Sequence, residues 1–350
     1  MVLASVRPRA IGAWALAALL ALSVSACGGQ GDTAGPATTS SGDRGSGGAG
    51  GAGGAASSVS AGGSGGRGGA GGSLDALPCE VDGRKGFCID VGDCTGMYAP
   101  TANHCPGAAN IQCCTELPAG VCDPLAMLNP NQGLIEKAGD TGCLPGMLAV
   151  EGFCIDRYEA SLVLSSGGKA FSPFFNPGVE DVRAVSIQGA VPQGYIDQIQ
   201  AASACLASGK RLCTDDEWLR ACGGPQYTTY PYGDTLDPGV CNDARDVHPA
   251  VELFGTTDPE IFSHLDNACL NQLPGSLDPT GSHPGCKTAE GAFDMMGNLH
   301  EWTADPAGTF RGGFYVDTAK NGPGCLYATK AHNVSHWDYS TGFRCCADLL

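Results

Sequence analysis

Nineteen cysteines in 350 residues constrain this chain more than any other feature. A reducing compartment leaves such thiols free or gives them to metal, whereas an exported chain pairs them. All but Cys27 fall into two groups with even counts. Six lie close together: Cys79, Cys88, Cys94, Cys105, Cys113 and Cys114. Twelve are spread from Cys122 to Cys346. Zinc needs thiols converging on one tetrahedral ion, but C-x2-C pairs are missing and adjacent Cys113 and Cys114 suit one ion poorly. Parity therefore predicts three disulfides in the first group, six in the second and no free thiol.

Residues 1–26 carry Arg7 and Arg9, no acid, and an apolar run over 10–24 too short to be a comfortable membrane span. The run ends Val24-Ser25-Ala26-Cys27-Gly28-Gly29, which resembles the lipobox of bacterial lipoproteins. That resemblance implies a signal peptide cleaved before Cys27 and a lipid anchor on Cys27, placing the chain on the outer membrane or cell surface. From 28 to 73, 20 of 46 residues are Gly. Such a stretch buries too little to offset its ordering entropy, so 27–75 reads as a disordered linker with a reach of roughly 40 Å. The formal net charge of -17 repels phosphate backbones and anionic headgroups, which excludes nucleic acid as a partner.

The first cysteine group makes 76–118 a small module that needs its staples to fold. Its ending, Cys105-Pro106-Gly107 through Ile111-Gln112-Cys113-Cys114-Thr115, resembles clip domains and the small cysteine modules of secreted cell-wall-active enzymes. Six cysteines allow fifteen pairings, and spacing does not choose among them. A connector over 119–142 leads to a large domain over 143–350. Residues 145–150 and 152–159 read as two short strands around a tight turn. Residues 196–208 follow a helical period, with Ile196, Ile199, Ala202, Cys205 and Leu206 on the expected inner face. Thr214 and Glu217 form a capping box that opens a second helix and turns Trp218 inward.

Gly209-Lys210-Arg211-Leu212-Cys213-Thr214, followed by Glu217-Trp218, resembles the G-K-R-L-P-T-E-A-E-W signature of the sulfatase-modifying factor family, the formylglycine-generating enzymes. Tyr230-Pro231-Tyr232-Gly233-Asp234 is similar to the family's P-W-G-D/N turn. Gly291-Ala292-Phe293-Asp294-Met295-Met296-Gly297-Asn298-Leu299-His300-Glu301-Trp302 resembles G-L-Y-D-M-x-G-N-V-W-E-W. Arg311-Gly312-Gly313 and Gly342-Phe343-Arg344-Cys345 match its R-G-G-S and G-F-R-C landmarks in order. The resemblance implies an α+β, C-type-lectin-like fold with little regular secondary structure.

It also implies two metal questions. Asp294 and Glu301 bracket a glycine turn, and two hard carboxylates with free carbonyls between them suit Ca²⁺. The family's structural ion would be held by Asp294, Gly297, Leu299 and Glu301, and a second by Asn242 and Asp243. The family's oxidases hold Cu(I) between two cysteines, the first in R-G-G-S-[FW]-L-C-H, because thiolates are soft ligands. This chain reads Arg311-Gly312-Gly313-Phe314-Tyr315-Val316-Asp317, so Phe314 replaces the serine and Asp317 the first cysteine. Cys325 stands near the second position, and Cys222 and Cys345 look like a family disulfide pair. That leaves Cys325 a partner such as Cys241, Cys269 or Cys286. His300, His332 and His336 show no defensible ligand spacing. The expectation is a calcium-stabilised binding or accessory lipoprotein without copper, whose candidate partners are a cell-wall glycan or an exported protein. The alternative is an oxidoreductase of protein cysteine or another side chain with a rearranged active site.

Overall fold

The computed structural model describes residues 77–350 apart from 82, 95–97 and 118–121. The expected signal peptide, Cys27 and the expected glycine-rich linker lie outside the described residues. No helix among the described residues is long and apolar enough to cross a membrane.

Strands β1 (Leu77–Val81), β2 (Arg84–Asp90), β3 (Tyr98–Thr101) and β4 (Ile111–Glu116) form one antiparallel sheet in the order β1-β2-β4-β3. Successive side chains of a strand point to opposite faces. Neighbours Cys113 and Cys114 on β4 therefore reach different partners, Cys79 and Cys94, while Cys88 joins Cys105. The six-cysteine module closes on itself.

The large domain opens with the hairpin β5 (Met147–Val150) and β6 (Phe153–Asp156), tied by Cys143–Cys154. A second hairpin pairs β7 (Ser161–Leu164) with β8 (Val182–Val185). Helix α1 (Gln198–Ala207), the short β9 (Arg211–Leu212), α2 (Asp215–Gly223) and α3 (Pro249–Phe254) follow. The C-terminal third supplies β10 (His300–Trp302), β11 (Phe310–Arg311), β12 (Ala328–Thr329), β13 (Thr341–Phe343) and β14 (Cys345–Asp348). One sheet runs β12-β11-β10-β13 and another β5-β6-β14-β9, so the final strand sits between β6 and β9. The fold is α+β with few helices, as expected.

The period-two rule also explains Cys345 and Cys346. Cys345 faces α1 and bonds Cys205, whereas Cys346 faces the opposite cluster and bonds Cys213. The expected Cys222–Cys345 pair is incorrect, because α2 packs on the Cys346 side of β14. Cys222 is bonded to Cys325 instead. The partners expected for Cys325 are taken elsewhere, in Cys241–Cys286 and Cys122–Cys269. The parity reading holds: every cysteine from Cys79 to Cys346 is paired, three bonds inside the module and six beyond it.

Helix α1 forms where its period placed it, but its inner face is rotated. Asp197 and Gln200 make the capping box, and Gln198, Ala201, Ala204 and Cys205 are buried. Ile199 and Leu206 are 58% and 73% exposed, so they do not face the core. Small residues win the inner face because Cys205 must approach β14 closely enough to bond Cys345. Thr214 and Glu217 cap α2 reciprocally, and Trp218 is fully buried. Lys210 is buried between Asp156 at 2.7 Å and Glu136 at 3.2 Å, which fastens the connector to the G-K-R-L landmark.

Candidate functional site

The turn over 294–301 is built from left-handed backbone. Asp294, Gly297 and Asn298 have φ of 58°, 79° and 57°. A Cβ on Gly297 would lie 2.2 Å from the Asn242 carbonyl oxygen, so only glycine lets the two segments touch. The Asn298 amide donates to that carbonyl at 2.9 Å, and Asn242 Nδ2 donates to Asn298 Oδ1 at 2.9 Å. The residues expected at two separate ions, 242–243 and 294–301, therefore meet in one place. Asp243 accepts the Gly239 amide at 3.1 Å through Oδ1.

Beneath this turn lies a buried ionic cluster. Arg344 Nε and Nη2 donate to Glu301 Oε2 and Oε1, each at 2.6 Å. The remaining guanidinium bonds reach the carbonyls of Asp156 and Phe293 at 3.0 and 2.9 Å. Trp218 Nε1 donates to Glu301 Oε2 at 2.6 Å. Glu159 accepts Asn298 Nδ2 at 2.6 Å and the Leu299 amide at 3.1 Å. Asp294 Oδ2 accepts the Gly281 amide at 2.7 Å. Three buried carboxylates thus surround one guanidinium. Burial, reinforced by Asp294 and Glu301, pushes Glu159 well above the usual carboxylate range. Burial likewise raises Asp294 to about 6, against the pull of the Gly281 amide and Arg344.

The residues present fit a hard cation in charge and only partly in donor set. Glu301 already balances Arg344 and burial drives Glu159 toward its neutral form, so Asp294 is the carboxylate whose charge a divalent ion would offset. Yet both Glu301 oxygens face Arg344, and one of them also serves Trp218. Asp294 is the carboxylate with an oxygen to spare, since its Oδ1 accepts no hydrogen bond from the described residues. Asp294 and the Gly297 and Leu299 carbonyls would hold the ion, with Glu301 acting chiefly as counter-ion to Arg344.

The C-terminal landmarks form a second constellation. A Cβ on Gly313 would lie 2.3 Å from the Asp317 carbonyl oxygen, which folds 313–318 into a tight turn. Asp317 caps it by accepting the amides of Ala319 and Lys320 at 3.0 and 2.9 Å. Cys325, the cysteine expected near the second position of the family's copper-binding pair, is 1% exposed and bonded to Cys222. Neither a thiol pair nor a lone thiol stands there. A chain of hydrogen bonds takes its place. His336 Nε2 meets Asp338 Oδ2 at 3.1 Å, Asp338 Oδ1 accepts Ser340 Oγ at 2.7 Å, and Ser340 Oγ meets His300 Nδ1 at 3.2 Å. His300 Nε2 then meets the Tyr327 hydroxyl at 3.2 Å, which lies 3.3 Å from Asp317 Oδ2. Burial lowers His300 to about 4 and raises Tyr327 to about 12, so at neutral pH both are uncharged. His332 stacks on His336 with centroids 3.7 Å apart.

Sequence reasoning missed Glu159, Tyr327 and the partnership of Arg344 with Glu301. The signal for Glu159 was present in Cys154-Ile155-Asp156-Arg157-Tyr158-Glu159, where an acid follows a strand rich in buried residues. Arg344 stood inside the G-F-R-C landmark without an assigned role.

Residues 177–349 match the family described as sulfatase-modifying factor enzyme 1-like domain. Over 137 residues the chain is 30% identical to the inactive C-alpha-formylglycine-generating enzyme 2 of Mus musculus, covering 37% of this chain and 39% of that protein. Over 142 residues it is 28% identical to hercynine oxygenase of Mycobacterium tuberculosis, covering 40% of this chain and 26% of that protein. The match therefore spans well under half the length of either curated relative. Among solved structures, PvdO from Pseudomonas aeruginosa is similar at 13% identity and a TM-score of 0.36, over 75% of this chain and 98% of that one.

Proposed function

Because residues 177–349 form a domain of the sulfatase-modifying factor family, we propose that this chain uses the family fold for binding rather than for copper-dependent oxidation. The supporting observation is the Cys222–Cys325 disulfide together with Asp317 in the turn that would carry the other cysteine. Cu(I) takes thiolates, and neither an oxidised sulfur nor a carboxylate replaces them. The protein is then a lipid-anchored accessory or binding lipoprotein, presented on the outer membrane or cell surface by Cys27. Ca²⁺ at Asp294, Gly297 and Leu299 stiffens the loop-rich domain. Its partners are a cell-wall glycan or an exported protein.

Two measurements on the purified full chain test this reading. Anaerobic Cu(I) titration against a competing chelator should show no stoichiometric high-affinity site. Oxygen consumption with a cysteine-containing peptide should stay at the buffer rate. Copper-dependent turnover, or alkylation of Cys325 without prior reduction, would replace this reading with the rearranged oxidase.

A further inference from the structure

A cavity of about 320 Å³ lies where the six-cysteine module meets the large domain. Its walls are Tyr98 from β3, Leu125 from the connector, Phe175, Phe254 at the end of α3, His264 and Asp266. The walls are fixed relative to one another. Ala99 and Leu117 pack in one cluster with Leu253, Phe254 and Leu270, and Cys122–Cys269 ties the connector to the same floor.

The polar groups of this cavity are unusual for a merely structural seam. His264 is 8% exposed, and its Nε2 has no hydrogen-bond partner. Buried polar atoms are normally satisfied, so this unpartnered nitrogen, on a residue that lines the cavity, is out of place in a purely structural seam. Burial lowers the imidazole below its ordinary range, against the pull of Asp266 and Glu260, so His264 stays neutral and keeps a lone pair. Asp266, solvent-exposed, supplies the one full charge on the lining, and no lysine or arginine lines it among the described residues. Asn267 spends its Oδ1 on the Cys269 amide and its carbonyl on the Tyr195 hydroxyl.

We propose that this cleft binds a small organic cation, an amine or quaternary ammonium group on a short apolar body. The aromatic faces of Tyr98, Phe175 and Phe254 attract a cation and cover its apolar part. Asp266 neutralises the charge. A net charge of -17 concentrates cations near the surface and disfavours anionic ligands. The volume suits a ligand at the small end of the usual range for organic molecules. The site is independent of the C-terminal constellation and of whether that face oxidises anything.

Isothermal titration calorimetry on the full chain at neutral pH, with benzylamine as probe, tests this. Benzylamine should bind at one site, and benzyl alcohol, equal in shape but uncharged, at least about tenfold more weakly. Asp266→Asn should weaken benzylamine by at least about tenfold and Tyr98→Leu by at least about fivefold, with melting curves unchanged for both exposed positions. Displacement by Nα-acetyl-lysine amide or by phosphatidylcholine vesicles supports the site and tells a peptide-borne from a lipid-borne cation. Equal binding of benzyl alcohol, tighter binding of N-acetylglucosamine, an unchanged affinity in Asp266→Asn, or no saturable heat at millimolar benzylamine overturns the proposal.

Discussion

Arg344 and Glu301 face each other through two parallel N–H···O bonds of 2.6 Å, with side chains 0% and 1% exposed. They join the link between β13 and β14 to the middle of β10, directly under Trp218, which also bonds Glu301. A fully buried pair of this kind adds little net stability over an apolar pair, but breaking it leaves a charge that nothing balances. Here the imbalance is worse, because Glu159 and Asp294 depend on the same guanidinium.

Arg344→Met should therefore destabilise the domain by about 3–5 kcal/mol. The thermal midpoint should fall by about 10 °C. Arg344→Met combined with Glu301→Leu should recover part of the loss, since it removes both charges of the pair. Circular dichroism melts of the three proteins check this; a single variant as stable as wild type would mean that another cation already neutralises the cluster.

His300 makes stability depend on pH in a defined direction. Burial holds it at about 4 in the native state, while the unfolded chain protonates near 6.5. Between these values the unfolded state binds the proton and the native state does not, so stability falls as pH falls from 6.5 toward 4. The full effect is about 3 kcal/mol. Asp294, raised to about 6, works in the opposite sense over the same window. The quantity to measure is therefore the difference between wild type and His300→Gln in urea unfolding at several pH values. That difference should shrink steadily on acidification, and a flat difference would place a protonated His300 in the folded protein.

Much of this architecture was legible because it follows local rules. Parity gave the number of disulfides, the Thr214–Glu217 box gave α2, and ordered landmarks pointed to the family that residues 177–349 match. Connectivity was not legible, because it depends on which face of β14 each helix covers. Cys345 and Cys346 are adjacent in sequence yet belong to different clusters. The inner face of α1 was misjudged for a related reason. Hydrophobicity favoured Ile199 and Leu206, but the bond from Cys205 to β14 and the small Ala201 and Ala204 set the rotation. Glu159 meets the Leu299 amide across 140 positions, a contact that no local pattern announces.

Lipidation is tested by fractionation. Wild-type protein should partition with membranes and release into detergent, with mass spectrometry finding diacylglycerol on Cys27. Cys27→Ser should instead be recovered in the soluble fraction with its disulfides intact, because every cysteine from Cys79 to Cys346 already has its partner within that range. A Cys27→Ser protein that still fractionates with membranes would require a different anchor.

The final prediction concerns Ca²⁺ at the turn over 294–301. An ion that binds only the native state stabilises it by RT ln(1 + [L]/Kd), which for millimolar calcium and a site of this type is about 1–3 kcal/mol. Chelation should then lower the melting temperature by several degrees, and readdition of Ca²⁺ should restore it. Asp294→Asn should remove that sensitivity while keeping the fold, because Asn still accepts the Gly281 amide that now meets Oδ2 at 2.7 Å. Glu301 variants are poor reporters, since they also unpair Arg344 and Trp218. Mg²⁺ should substitute weakly, because carbonyls spaced by a turn suit a loose calcium shell better than a strict octahedron. The loss should be local, around Trp302 and the 242–243 segment, because the six disulfides beyond the module continue to hold the domain. Melting curves of wild type and Asp294→Asn that superimpose with and without chelator would leave Arg344 as the turn's sole counter-charge and Asp294 as a cap for the Gly281 amide.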